Sequence, residues 1–170
     1  TTLILTRRKK TKNMSNFDTA FDTLIGHEGG YVNNPHDPGG ETKYGISKRS
    51  YPNYNIKTLT LENAKIIYKE DFWDKVQGDK LPYVVAFNFF DGAVNSGVGN
   101  SVRWLQRAAG VADDGVFGPL SLAAVLKEDP YILTAKYLGE RLTFMSNLST
   151  WNKFGKGWAR RIANNLKDFE

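Results

Sequence analysis

Three side chains, spaced along one short stretch, carry the chemistry this chain can offer: Glu28, Asp37 nine positions later, and Thr42 five positions after that. Two carboxyls flanking a gap are the basic apparatus of glycosidic-bond hydrolysis. One donates a proton to the leaving oxygen, and the other activates a water or steadies the developing positive charge. The donor must hold its proton near neutral pH. The sequence around Glu28 favours this. Phe17, Phe21, Leu24 and Ile25 recur at helical spacing, and at about 100° per residue they gather on one side, with Glu28 among them. Gly29-Gly30 then reads as a helix stop, which places Glu28 in the last turn, at the negative end of the helix dipole. Apolar surroundings and that dipole both push a carboxyl pKa upward.

The elements that must position these groups follow from the residues between them. Asp37 lies in the turn-rich run Pro35-His36-Asp37-Pro38-Gly39-Gly40. Val32 and Tyr44-Gly45-Ile46 flank that run as the arms of a small β-hairpin would. A helix-terminal Glu would then face an Asp and a Thr carried on a hairpin.

Glu28-Gly29-Gly30-Tyr31, Asp37-Pro38-Gly39-Gly40 and Thr42-Lys43-Tyr44-Gly45-Ile46 together resemble the signature of glycosyl hydrolase family 108. These are N-acetylmuramidases of phages and bacteria with a mostly helical, lysozyme-like fold. Phe90-Asp91-Gly92-Ala93-Val94-Asn95-Ser96-Gly97 and Asp114-Gly115-Val116-Phe117-Gly118-Pro119 match as well, and the resemblance runs from about Phe17 to the C-terminus. It departs at Asn34, where the family usually has Asp before Pro. The resemblance implies a mainly α fold with a small β-hairpin after the first helix. It also implies catalytic roles for Glu28, Asp37 and Thr42, and no cofactor or metal. Gly30, Tyr31, Tyr44, Gly45 and Ile46 become candidate substrate-binding positions.

Composition narrows the alternatives. Cysteine is absent, so there is no disulfide, thiol nucleophile or thiolate metal site. Only His27 and His36 could serve as imidazole ligands, which argues against a zinc amidase. No apolar run approaches the roughly 18 residues of a membrane span. Of 23 basic residues, Arg7, Arg8, Lys9, Lys10 and Lys12 lie in the first thirteen positions; the remaining 18 balance the 18 acidic ones. The whole net charge of +5 therefore sits in the tail. Residues 1–13 are expected to be a basic, disordered tail. Residues 14–170 are expected to form a single lysozyme-like domain, with a catalytic half over 14–98 and a helical, peptidoglycan-binding-like half over 99–170.

Along the chain, a first helix is expected over Asn16 to Gly26–Glu28, capped by Ser15 or Asn16. Thr60 reads as the N-cap of a second, whose Leu61, Ala64, Ile67, Tyr68 and Phe72 keep helical spacing to about Val76. Pro82 fits the first position of a third helix through Asn95, apolar nearly all round and so the expected buried centre. Asn88, Asp91 and Asn95 interrupt it on one side, and polar groups on a buried helix need partners. Two readings stay open for them: a structural hydrogen-bond cluster, or a cleft wall for sugar acetamido and hydroxyl groups.

Further helices are expected over Val102–Ala109 behind Asn100 or Ser101, over Leu120–Lys127, from Pro130 onward, and over about Trp158–Leu166. The helix from Pro130 shows the stripe Ile132, Ala135, Leu138, Leu142 and Met145. Leu105-Gln106, Asp114-Gly115, Gly118-Pro119 and Ala123-Ala124-Val125 are similar to small peptidoglycan-binding modules. Tyr31, Tyr44, Trp73 and Trp104 are candidate stacking surfaces for sugar rings.

The expected function is cleavage of the β-1,4 bond between N-acetylmuramic acid and N-acetylglucosamine in peptidoglycan, as a monomeric phage-type endolysin lysing its bacterial host. The expected partner is the glycan strand, with no nucleic acid and no stable membrane insertion. Made in the host cytoplasm without a signal peptide, such an enzyme would reach the cell wall through a hole made by a separate membrane protein. A lytic transglycosylase, a chitinase-like enzyme and a non-catalytic wall-binding or virion structural protein are the rivals.

Overall fold

The computed structural model describes residues 14–26, 30–36 and 38–169. The chain divides into two compact units, one up to Lys65 and one from Ile66 onward.

In the first unit, α1 (Asn16–Ile25) buries Phe17, Ala20, Phe21 and Leu24. Its start is set by a capping box: the Ser15 hydroxyl accepts from the Asp18 amide while the Asp18 carboxylate accepts from the Ser15 amide. Lys65 closes on Asp18 at 2.6 Å, and its hydrogen bond is the main cause that lowers the Asp18 pKa. The helix ends at Ile25 with Gly26 as C-cap, at the near edge of the expected Gly26–Glu28 end. His27, Glu28 and Gly29 lie outside the described residues.

The expected hairpin is a three-stranded antiparallel meander. β1 (Val32–Asn33), β2 (Glu41–Lys43) and β3 (Ile46–Ser47) lie in that order, with Val32 opposite Thr42 and Thr42 opposite Ser47. The Tyr44-Gly45-Ile46 run is therefore not the second arm. Tyr44 (φ 51°) and Gly45 (φ 76°) make the two-residue turn between β2 and β3. Positive φ at both positions is the geometry whose twist matches a tight hairpin, and glycine meets it without strain.

Across residues 59–68 the chain runs into α2 (Leu61–Tyr68), with the Thr60 hydroxyl accepting from the Asn63 amide as expected of its N-cap. The ladder then widens to a π-helical segment, Lys69–Trp73, instead of continuing as α-helix to Val76. This segment turns Trp73 fully inward, where its indole N–H donates to Asp79 at 3.0 Å. The ring lies so close to Gly78 that no side chain fits there.

The second unit is organised by α3 (Tyr83–Ser96), buried without a break from Val85 to Ala93. Pro82 is its N-cap, one position before the one expected. α3 packs chiefly against α4 (Val98–Ala108) and α6 (Pro130–Ser146). Gly97, at φ 91°, lets α4 start at once, so neither Asn100 nor Ser101 is its cap. Ser101 instead donates to the Phe89 carbonyl of α3 and shares a 2.7 Å hydrogen bond with the Tyr137 hydroxyl of α6. Gly92 leaves that hydroxyl the space a Cβ would fill.

Gln106 fastens the loop after α4. Its amide nitrogen donates to Asp114, Val116 and Ser121, and its oxygen accepts from Gly115. α5 (Pro119–Lys127) follows, and Asp129 caps α6 by accepting from the amides of Tyr131 and Ile132. α7 (Trp151–Lys167) starts well before Trp158, with the Trp151 ring laid over Gly155.

The buried stripe of α6 also differs from the expected one. It is Leu133, Thr134, Tyr137, Leu138, Arg141 and Met145, leaving Ile132 and Leu142 exposed. The helix is turned so that Arg141 points inward, for the reason given below. Among the described residues, no helix is long and apolar enough to cross a membrane.

Candidate functional site

In the first unit, the described candidate residues lie on and around the three short strands. Thr42 sits in the central strand, paired on both sides, which fixes its backbone. The chain from β1 to β2 holds Asp37 in its middle. Around it, the Asn34 side chain accepts from the His36 amide at 3.0 Å, and the Lys48 amide donates to the Glu41 carbonyl at 2.8 Å. The first of these is a local side-chain turn that sets the direction in which the connection leaves β1. Asp37 itself lies outside the described residues, as Glu28 does.

The other candidates of this unit separate into exposed and structural positions. Gly30 and Tyr31 are exposed, and the Tyr31 hydroxyl donates to the Glu41 carboxylate at 3.1 Å, which braces the ring against β2. Desolvation and that carboxylate raise the Tyr31 pKa. Tyr44 is half-buried, with the Lys43 ammonium over its ring at 5.4 Å. Gly45 answers the turn geometry, and Ile46 is 2% exposed. A side chain so deeply enclosed packs the core and presents no surface to a substrate.

In the second unit, Asp91 is the clearest correction to the cleft-wall reading. It is fully buried. Arg141 donates to one carboxylate oxygen at 2.7 Å, and Asn165 donates to the same oxygen at 2.9 Å. Arg161 grips the other oxygen with Nε at 3.0 Å and Nη2 at 2.6 Å. Burial alone would raise the Asp91 pKa, but the charges and hydrogen bonds of Arg141 and Arg161 outweigh it and hold the pKa at about 2. A carboxylate so engaged ties α3 to α6 and α7 and has no lone pair to spare for a sugar. Asn95 belongs to the same cluster through its oxygen, which accepts from Arg141 at 3.1 Å. Asn88 stands apart from it, with its amide nitrogen on the Val84 carbonyl at 2.8 Å. Trp73 and Trp104 are buried, Trp73 edge-on to Phe90 and Trp104 tilted against Phe144, so neither ring offers a face to a sugar.

The partners of Asp91 escaped the sequence reading, though a signal was present. Arg141 follows Leu138 by three residues, on the face that carries Leu133 and Tyr137. An arginine inside an apolar stripe implies a buried acid opposite it.

Comparison with known proteins places this arrangement. Residues 21–97 match the model of Glycosyl hydrolase 108, and residues 100–163 match that of a Predicted Peptidoglycan domain. The chain is similar to the solved structure of SagA from Brucella abortus, with 36% identity, a TM-score of 0.82, and coverage of 89% of this chain and 91% of that one. No curated protein matches. The mainly α, lysozyme-like architecture, the Glu28-to-Ile46 signature and a likeness spanning nearly the whole length agree: the chain belongs to glycosyl hydrolase family 108 and is a glycoside hydrolase directed at peptidoglycan.

Proposed function

We propose that the enzyme is an N-acetylmuramidase that hydrolyses the β-1,4 bond between N-acetylmuramic acid and N-acetylglucosamine. The supporting observation is the placement of Thr42 on the central strand, immediately after the connection that holds Asp37, within the match to family 108. A hydroxyl carried on a backbone paired on both sides suits a water-orienting role.

In this reading Glu28 protonates the leaving glycosidic oxygen. Asp37 stays ionised and, with Thr42, directs a water at the anomeric carbon, so the configuration inverts. The bond to the leaving oxygen breaks as the bond to water forms, one of the water's protons passes to Asp37, and the other stays on the new hydroxyl. No cofactor is needed. Tyr31 and Tyr44 flank the substrate, residues 14–170 work as one monomeric unit, and the biological role is phage-type lysis of the host wall after release through a partner-made membrane hole.

Mass analysis of the products from purified peptidoglycan tests the proposal. Fragments ending in reducing N-acetylmuramic acid are expected. Anhydro-sugar ends would show a transglycosylase, and reducing N-acetylglucosamine ends a glucosaminidase; either would overturn the muramidase assignment.

A further inference from the structure

Within residues 66–170, the starts of α3 and α6 and the end of α7 enclose a pocket of about 160 Å³. Pro82, Tyr83, Phe87 and Asn88 line it from α3, Tyr131 from α6, and Asp168 from the end of α7. The Tyr83 and Phe87 rings stack at 6.1 Å and 22°, which makes one wall a continuous aromatic surface.

Asn88 is 2% exposed, and its Oδ1 is buried with no hydrogen-bond partner. Turning the amide over would set its oxygen against the Val84 carbonyl that Nδ2 now serves, so the orientation is imposed. The neighbouring Asn165 directs its amide nitrogen to Asp91. A buried acceptor left empty costs roughly 1–3 kcal/mol. Such an atom in a pocket wall asks for a donor from outside.

The lining sets the chemistry of that donor. Its acceptors are the Asn88 oxygen and the Asp168 carboxylate, the Tyr83 and Tyr131 hydroxyls can donate or accept, and among the described residues no basic side chain lines it. An anion would meet the Asp168 carboxylate and no opposite charge. Asp168 is exposed at the rim, while the deeper acceptor is neutral, so a buried ammonium would lose more hydration than it regains. A neutral N–H on a small apolar group fits: a secondary amide with its methyl against Pro82 and Phe87. The volume holds a few waters or one such group.

We infer that this pocket seats the acetamido group of an N-acetylated sugar, with the N–H donated to Asn88 Oδ1. The ring then lies at the mouth against Tyr131, which is 41% exposed, with a hydroxyl toward Asp168. The inference rests on the peptidoglycan reading and gives the second unit a glycan subsite of its own.

The test is a titration of the full-length protein, followed by ¹H–¹⁵N NMR, with N-acetylglucosamine, glucosamine and glucose. N-acetylglucosamine should shift the Asn88 side-chain amide and the Tyr131 backbone amide saturably, and glucose should not. Asn88→Leu removes the acceptor at similar volume and should weaken binding about 5- to 150-fold, the span of one lost hydrogen bond. Should that variant fail to fold, Tyr131→Ala at the mouth replaces it and should weaken binding severalfold. Equal shifts with glucose, stronger shifts with glucosamine, no saturable shift, or unchanged binding in the variant would each overturn the inference. Reducing-end release from peptidoglycan, measured on the same samples, keeps the two readings separate. Hydrolysis without acetamido binding rejects the pocket alone, and binding without hydrolysis rejects the enzyme assignment alone.

Discussion

The two units carry their acidic residues in contrasting stretches of the chain. In the second, Asp91 is sunk in the centre of a helical core and spends both oxygens on four nitrogen donors from α6 and α7. In the first, Glu28 and Asp37 fall in glycine- and proline-rich connections, between α1 and β1 and between β1 and β2. The strands there are only two or three residues long. On the proposed mechanism, the contrast separates an acid that holds a fold together from acids that exchange protons. Full engagement with arginine keeps Asp91 ionised at nearly any pH, the opposite of what a proton donor needs.

Substitution should make that contrast measurable, because the two kinds of carboxyl should affect different quantities. Asp37→Asn should slow peptidoglycan hydrolysis by about 10²- to 10⁴-fold with an unchanged melting temperature. Thr42→Ala should do less, and Thr42→Ser should regain part of the rate. Asp91→Asn should do the reverse and cost roughly 3–5 kcal/mol by denaturant unfolding, because it strands buried arginine charge. An Asp91→Asn protein of full stability would break the comparison.

Acid sharpens it. The Asp91 pKa is lowered from 3.8 to about 2 on folding. Its contribution is therefore fully present above about pH 4 and is lost as pH falls through 2. Stability of the wild type should decline over that window more steeply than that of Asp91→Asn. Gly92→Ala, which drives a methyl into the Tyr137 hydroxyl, should cost about 1–3 kcal/mol. The smallest effect belongs to the first unit: Ser15→Ala removes the α1 cap and should cost about 1 kcal/mol.

Much of this arrangement was legible in the residues, and the failures share a cause. The caps at Ser15 and Thr60 and the buried α3 follow from local chemistry: a hydroxyl before a helix and an apolar run. Local pattern misplaced α4, the α6 stripe and the start of α7, because distant contacts decide them. Gly97 restarts the chain at an angle that periodicity does not encode. Arg141 turns α6 inward to meet Asp91, fifty positions away in sequence, and hydrophobic counting reads an arginine as surface. Gly155 weakens the helical pattern until the Trp151 ring that needs the gap is seen above it.

The same reasoning explains where the family boundary and the compact units part. The family matches meet between residues 97 and 100, whereas the compact units divide after Lys65. α3 belongs by sequence to the first match and by packing to the second unit, where α4 and α6 enclose it. At Asn88 and Asp91 the sequence left a structural cluster and a sugar-facing wall both open. The structure gives Asp91 to the first, and leaves an unused acceptor at Asn88.

The central claim is that Glu28 is the proton donor. Glu28→Gln keeps the size and hydrogen-bonding capacity of the side chain and removes only the acid. Reducing ends released from purified peptidoglycan, measured beside a thermal melt of the same sample, test it most directly. A rate lower by about 10²- to 10⁴-fold at an unchanged melting temperature is the predicted result. A folded Glu28→Gln enzyme working near the wild-type rate would contradict it.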